Sequence, residues 1–174
     1  MNPMHLKQSP NWHTPAAYVE AARAVMGRID LDPASDTVAN QTIKAKVFYT
    51  EHDNGLDYDW VGRVFLNPPG GLVREFWLKL VESSAVTECI WIGYSLEQLQ
   101  FLQQINANST PLNFPLCIPR RRIAFDLPGS KKKSPTHANY VAYLTTQPLR
   151  DARFMAAFRQ FGEVFIPGSG RFTL

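Results

Sequence analysis

Asn67, Pro68 and Pro69 are the residues whose types and order point most directly to chemistry. The side-chain oxygen of Asn67 and the carbonyl of Pro68 could accept hydrogen bonds from both N–H groups of an aromatic amine. These bonds would turn the delocalised lone pair of the amine outwards. The two prolines stiffen the loop, so that both acceptors are preorganised. Neutral acceptors suffice, and no strong base or metal is needed. With Gly70 the segment is also a common turn, because these residue types dominate turns for conformational reasons.

A second polar loop, Asp32-Pro33-Ala34-Ser35, follows the run Ile29-Asp30-Leu31, much as Asn67 follows Val64-Phe65-Leu66. Proline cannot donate to a β-ladder, so each run is predicted to be a buried strand that ends at its loop. In open α/β sheets, ligands bind beyond the carboxyl ends of the strands. Both loops are therefore expected at the ligand-binding edge of the sheet.

Two basic triplets, Arg120-Arg121-Arg122 and Lys131-Lys132-Lys133, are predicted to lie on one long β-hairpin within residues 116–144. They could face the phosphate backbone of a nucleic acid. Charged runs, however, are often simply exposed to solvent and have no binding role. The arginines favour the first interpretation more than the lysines, because they interrupt an apolar strand pattern and arginine suits phosphate and guanine contacts. His137 could contact a nucleic acid or a bound base, or be structural.

The elements that must position these residues alternate between strands and helices. A first helix is predicted to begin at Thr14-Pro15 and to stop at Gly27, and Asp36 can cap a short helix towards Lys46. Further helices are predicted at residues 72–81, 95–105 and 154–161, and further strands at 47–49, 89–92 and 164–166. The alternation predicts an α/β fold with a mostly parallel sheet and an antiparallel hairpin at its edge.

Length and composition are consistent with one domain over residues 1–174. Apolar residues make up 45% of the chain, and the net charge of +3 is too small to name a polyanionic partner. Cys89 and Cys117 lie in apolar runs, which favours reduced core thiols over a disulfide or metal site. No apolar run is long enough to span a bilayer, and residues 1–10 lack the apolar centre of a signal peptide, so a cytoplasmic protein is expected.

Several motifs, taken in order, resemble the phage-type DNA N6-adenine methyltransferase (phage Dam-like) family. They are Trp12-His13-Thr14-Pro15, Asp30-Leu31-Asp32-Pro33-Ala34-Ser35, Asp53-Asn54-Gly55-Leu56, Trp60, Val64-Phe65-Leu66-Asn67-Pro68-Pro69, Arg122-Ile123-Ala124-Phe125 and Ser134-Pro135-Thr136-His137-Ala138-Asn139. The resemblance covers nearly the whole chain. It implies a Rossmann-like, S-adenosylmethionine-dependent methyltransferase fold. It also implies methyl transfer to the N6 amine of an adenine flipped out of double-stranded DNA.

The resemblance also implies roles for individual residues. Asn67, Pro68 and Pro69 match the first three positions of the catalytic consensus Asp/Asn-Pro-Pro-Tyr/Phe/Trp. The methyl-donor loop, with consensus Asp-Pro-Ala-Cys-Gly-Ser-Gly, is matched by Asp32, Pro33 and Ala34, and the donor-lining Thr-Pro element by Thr14 and Pro15. Trp12 could pack over the adenine of the donor, or it could pack against the start of the first helix as a hydrophobic staple.

The sequence departs from the family pattern at three points. Gly70 stands where an aromatic residue is expected, and Phe76, Trp77 or Tyr94 could replace that ring. Ser35-Asp36-Thr37 replaces a glycine-rich turn. The stretch between the two loops leaves little room for the usual acid that holds the donor ribose, for which Asp53 is the candidate substitute. The departures keep open a weak or inactive DNA-binding descendant, and methylation of a protein glutamine is a second alternative.

Overall fold

The structure, a computed structural model, describes residues 12–105, 114–129, 137–146 and 151–168. The described residues form five α-helices and seven β-strands. The helices are α1 (Ala16–Met26), α2 (Ala39–Ile43), α3 (Val73–Glu82), α4 (Leu96–Ile105) and α5 (Asp151–Phe158). The strands are β1 (Leu31–Asp32), β2 (Val47–Phe48), β3 (Gly62–Leu66), β4 (Val86–Tyr94), β5 (Leu116–Pro119), β6 (Asn139–Thr145) and β7 (Gly162–Phe165).

The strands form a single open sheet with the order β2-β1-β3-β4-β6-β5-β7. Neighbours from β2 to β4 are parallel, whereas β6, β5 and β7 each run antiparallel to the strand before them in this order. The α/β class is confirmed, but the mostly parallel sheet is not, because half of the pairings among the described strands are antiparallel. The predicted β5–β6 pair exists inside the sheet rather than at its edge, since β7 pairs with the outer side of β5.

Helices cover both faces of the sheet, because successive residues of a strand point to opposite sides. On one face Phe65 and Ile90 pack with α1, α2 and α5. On the other face Val64 and Trp91 pack with α3 and with Leu102 of α4. None of the described helices is long and apolar enough to cross a membrane.

The two cysteines are buried in this core and are not bonded to each other, as the sequence predicts. Burial raises the pKa of both thiols, that of Cys117 to about 11. Neither thiol is therefore an activated nucleophile at neutral pH.

Local capping at the amino-terminal helices agrees only partly with the sequence prediction. α1 begins at Ala16, with Pro15 in the cap position and no side-chain cap, so Pro15 is not the first helical residue. Gly27 ends α1 with a φ of 85°, as expected for a glycine in that position. Asp36 caps the next turn as predicted, because its Oδ1 accepts hydrogen bonds from the backbone N–H groups of Val38 and Ala39.

Residues 123–125 do not form the predicted second hairpin strand. Ile123 and Phe125 are buried. The next residue, Asp126, instead exchanges a pair of backbone hydrogen bonds with His13, of 2.7 and 3.0 Å. The segment therefore pairs with the chain before α1, a contact between distant parts of the sequence that a local pattern does not encode.

Strand directions bring the functional loops to one edge of the sheet. β5 points the same way as β4, because both are antiparallel to β6. The chain therefore leaves β1, β3, β4 and β5 at one edge and enters β6 there, with Tyr94 paired to Asn139. We call this edge the carboxyl edge.

Candidate active site

A cavity of about 460 Å³ lies at the carboxyl edge and is bounded by both polar loops. Its volume is in the range of small-molecule sites. The residues predicted from the sequence that line it are Trp12, Thr14, Asp32, Ala34, Asn67, Pro68, Pro69 and His137. The structure thus brings together the two loops that lie 35 residues apart in the chain, from Asp32 to Asn67.

Asn67 is held in one orientation by the segment before α1. It follows β3, whose last three residues are fully buried and fix the start of the loop. Its Nδ2 donates a 3.1 Å hydrogen bond to the carbonyl of Trp12. The amide nitrogen is thereby engaged, and among the described residues none donates a hydrogen bond to Oδ1, which remains available as an acceptor.

Tyr94 supplies an aromatic ring beside Gly70. Its hydroxyl donates a 2.9 Å hydrogen bond to the Gly70 carbonyl, and its ring centroid lies 5.7 Å from that of His137. Partial burial raises the pKa of Tyr94, so the phenol stays a neutral donor. Of the three aromatic candidates, Tyr94 lines the cavity, whereas Phe76 and Trp77 are buried in the core on the α3 side.

Asp32 is a buried carboxyl group at the end of β1. Its side chain is almost inaccessible, and Oδ1 accepts a 3.1 Å hydrogen bond from the Ala34 N–H. Burial raises the pKa of Asp32 to about 7, because desolvation disfavours the charged form. The loop is tied to the β2 side by Tyr49, whose N–H donates to the Asp32 carbonyl and whose carbonyl accepts from Ser35.

Pro33 does not line the cavity and instead packs on Gly55. A Cβ added to Gly55 would lie 2.0 Å from the Pro33 carbonyl oxygen, so only glycine fits there. The indole N–H of Trp60 donates a 2.8 Å hydrogen bond to the Gly55 carbonyl. The Gly55 and Trp60 motifs of the sequence therefore support the Asp32–Ser35 loop from outside the cavity.

Asp53 and Pro15, both predicted to contact the donor, do not line the cavity. Asp53 is exposed, and its Oδ2 accepts hydrogen bonds from the backbone N–H and the hydroxyl of Thr50, of 2.9 and 2.7 Å. Its carboxylate therefore stabilises its own turn. Pro15 faces a separate groove that also includes Arg120.

The cavity is also lined by polar residues that the sequence did not assign to the site, among them His13, Ser35 and Asp36. Nε2 of His13 lies 2.7 Å from Oδ2 of Asp36. The hydroxyl of Ser35 is buried beside the Asp32 carboxyl, and its interaction with that carboxyl acts to lower the pKa of Asp32 against the larger effect of burial. All three stand inside or directly beside the Trp12–Pro15 and Asp32–Ser35 motifs, and that proximity was the available signal.

The arginine triplet is exposed and follows β5 at the carboxyl edge. It borders a shallow groove of about 430 Å³ that also contains Tyr18 and Phe161, whose rings stack with centroids 4.0 Å apart. Arg120 forms a 3.9 Å ion pair with Glu163, both side chains being exposed. The predicted lysine triplet, Lys131, Lys132 and Lys133, lies outside the described residues.

The sequence matches one family of known proteins. The model of the family described as DNA N-6-adenine-methyltransferase (Dam) matches residues 4–152. The matched range contains both polar loops and every residue that lines the cavity. A comparison with curated proteins finds no match.

Proposed function

The chain belongs to the DNA N-6-adenine-methyltransferase (Dam) family, and from this premise we propose a specific reaction. A methyl group is transferred from S-adenosylmethionine to the N6 amine of an adenine flipped out of double-stranded DNA. The observation that carries the proposal is the shared cavity, in which the Asn67-Pro68-Pro69 loop faces the loop that begins at Asp32. One domain, formed by residues 1–174, holds both sites.

The cavity has features that fit S-adenosylmethionine. Its volume suits a ligand of this size, and polar side chains such as those of Ser35 and Asp36 line its wall. Trp12, Thr14, Asp32 and Ala34 would hold the molecule. When bound, it supplies a methyl group on a sulfonium, which is its own leaving group.

Asn67 and Pro68 orient the amine that receives the methyl group. Oδ1 of Asn67 and the Pro68 carbonyl accept hydrogen bonds from the two N6 N–H groups, so that the nitrogen lone pair points at the methyl carbon. The Trp12 carbonyl supports this role, since it engages Nδ2 and leaves the oxygen for the substrate. Both acceptors are neutral and orient the protons without removing them, and the surplus proton of the product passes to water. Pro69 stiffens the loop.

Tyr94 and His137 complete the base pocket. Tyr94 provides the ring that Gly70 lacks, and it lies next to the Gly70 carbonyl, beside the predicted catalytic loop. His137 packs against that ring and also lines the cavity. A flipped base bound between such groups is stabilised by stacking.

The DNA backbone is proposed to bind along the carboxyl edge. Arg120, Arg121 and Arg122 would contact phosphates there, together with Lys131, Lys132 and Lys133. The second groove supports this assignment, because it places the arginines beside an aromatic pair. For a phage-type enzyme, a DNA substrate means action in the cytoplasm of the host cell.

The proposal is tested by incubating the protein with unmethylated duplex DNA and S-adenosylmethionine labelled in the methyl group. The DNA is then digested and its nucleosides are separated. The expected result is label in N6-methyl-2′-deoxyadenosine. Label in a cytosine product or in protein glutamine would contradict it. DNA binding without label and without donor binding would identify the inactive descendant.

A further inference from the structure

We propose that the groove beside the arginine triplet is a second nucleotide site, which binds one unpaired nucleotide of the DNA strand that carries the target adenine. The base stacks against Tyr18 and Phe161, and the adjoining phosphates contact Arg120, Arg121 and Arg122. The proposed reaction needs only backbone contacts at this place. The site therefore goes beyond that reaction, although it rests on DNA being the substrate.

The charge of the groove matches a phosphate group. Three arginine side chains line it, and its described lining contains no carboxylate. Glu163, outside the groove, lies 3.9 Å from Arg120, but both side chains are mostly exposed, and such pairs contribute little. Arginine binds phosphate through its planar fork of N–H donors and also stacks on aromatic rings. An anionic ligand with a planar ring therefore fits the groove.

The rings of Tyr18 and Phe161 give the groove a planar apolar surface. Their centroids lie 4.0 Å apart, their planes differ by 18°, and both residues are partly exposed. Burial raises the pKa of Tyr18 to about 12, so its phenol remains a neutral donor beside a phosphate. Stacking on such rings accepts any base, because every base has a π-face.

Backbone pairing fixes the arginines relative to the rings. The N–H of Arg120 donates a 2.9 Å hydrogen bond to the carbonyl of Phe161. The neighbouring residues Pro119 and Gly162 are paired between β5 and β7. A Cβ at Gly162 would lie 1.9 Å from the carbonyl oxygen of Ile118, so the two strands approach too closely for a side chain there. The arginine and the ring therefore start from fixed positions in the backbone.

The groove and the cavity share a wall, formed by the segment before α1 and the segment after the arginines. Along the first segment, Thr14 lines the cavity and Pro15 lines the groove. Along the second, Phe125 lines the cavity and Ala124 lines the groove. The pair of backbone hydrogen bonds described above joins the two segments. One DNA strand can therefore place an adenine in the cavity and another nucleotide in the groove.

The shallowness of the groove indicates a nucleotide within a strand rather than a free nucleotide. Its volume of about 430 Å³ is in the range of ligand sites. Sites for free small molecules, however, enclose most of the ligand, which a shallow groove does not do. A nucleotide tethered by a bound strand is held at a high effective concentration, so weak local contacts suffice.

The experiment measures binding of the full chain to labelled duplexes by fluorescence anisotropy. One duplex carries a single-stranded tail of three thymidines, and the comparison duplex carries an abasic tail with the same number of phosphates. We expect the thymidine tail to bind about 5- to 100-fold more tightly, which is the gain from stacking one base. Tails at the 5′ end and at the 3′ end are tested separately, because strand polarity decides which tail reaches the groove.

Two variants locate the stacked base. Tyr18→Leu and Phe161→Leu each keep an apolar side chain and remove one ring, and each should reduce the thymidine gain by at least about threefold. The matched control is Phe165→Leu, which replaces an exposed phenylalanine of β7 outside the groove. This control should keep the full gain.

Equal binding of thymidine and abasic tails by the wild type would overturn the inference without any variant, since the groove would then bind phosphate alone. A gain that survives in both leucine variants would place the base elsewhere and would overturn it as well. Displacement of the tailed duplex by an equimolar amount of free thymidine monophosphate would rule out a site for a strand. Failure of the proposed reaction is a separate result, because it is absence of label in the methyl-transfer assay.

Discussion

Several side chains in this cavity are held by hydrogen bonds to residues that are distant in the sequence. The sequence alone identified Asn67 and Asp32 as candidates, because their types and their positions after apolar strands have chemical meaning. It did not identify the Trp12 carbonyl as the partner of Asn67, 55 positions away, or Asp36 as the partner of His13, 23 positions away. Such pairings are set by the tertiary fold, and no local spacing encodes them.

Asp32 gives a residue-scale prediction about pH. Its pKa is 3.8 in the absence of the fold and about 7 in the buried site. Between these values the folded protein holds a proton that the unfolded chain releases, so the free energy of unfolding falls as pH rises from about 4 to about 7. Asp32→Asn removes this titration. From pH 5 to pH 8 the wild type should lose up to about 3 kcal/mol more than the variant, measured by urea denaturation. Parallel pH profiles would contradict the raised pKa.

Tyr94 gives a second prediction at this scale, for methyl transfer to DNA. Tyr94→Phe keeps the ring but loses the hydrogen bond to Gly70, and kcat/KM for DNA should fall by about 2- to 10-fold. Tyr94→Ala also removes the stacking surface, which should cost about 10-fold or more beyond that. The control is Phe165→Ala, an exposed ring outside the cavity. Equal activity of the two Tyr94 variants would mean that the ring does not contact the base.

At the scale of elements, the sequence predicted well where strands end and poorly how they pair. The polar loops after β1 and β3 were located because proline lacks the N–H that a buried strand needs for its ladder. The position of β7 beside β5, and of the β5–β6 pair inside the sheet, depends on contacts between distant segments. The pairing of Asp126 with His13 is of the same kind.

Gly55 tests how one loop supports another. In Gly55→Ala the new Cβ meets the Pro33 carbonyl, so the Asp32–Ser35 loop must move. We expect the free energy of unfolding to fall by about 1–3 kcal/mol, with weaker binding of S-adenosylhomocysteine. Gly71→Ala is the matched control, because a Cβ there meets nothing within 4 Å. Thermal melts and calorimetry measure both effects, and a stable variant with normal affinity would show that the loops are not coupled.

At the scale of the whole molecule, the sheet gathers the proposed catalytic loop, the proposed donor loop and the arginines at one edge. A DNA duplex lying along this edge would contact Arg121 and Arg122 while a flipped base enters the cavity. The net charge of +3 is too small to indicate this by itself, and the placement of the charges is what matters.

The salt dependence of DNA binding tests this arrangement. Replacing Arg121 and Arg122 by alanine should reduce the slope of log affinity against log salt concentration by about 2, since each phosphate contact contributes about 0.9. The control replaces Arg28 and Lys46, exposed residues just before β1 and β2, at the opposite edge. Fluorescence anisotropy with a labelled duplex measures both slopes. Equal slopes for the two double variants would place the DNA elsewhere.

The most direct test of the central claim compares wild type and Asn67→Ala in the labelled-methyl assay, with S-adenosylhomocysteine affinity measured on the same samples. The wild type should label N6 of adenine. Asn67→Ala should lose at least about a thousandfold in transfer while donor affinity stays near wild type. The lost hydrogen bond to the Trp12 carbonyl should lower the free energy of unfolding by only about 0.5–1.5 kcal/mol. Retained transfer by Asn67→Ala would contradict the assignment of Asn67 as the catalytic residue.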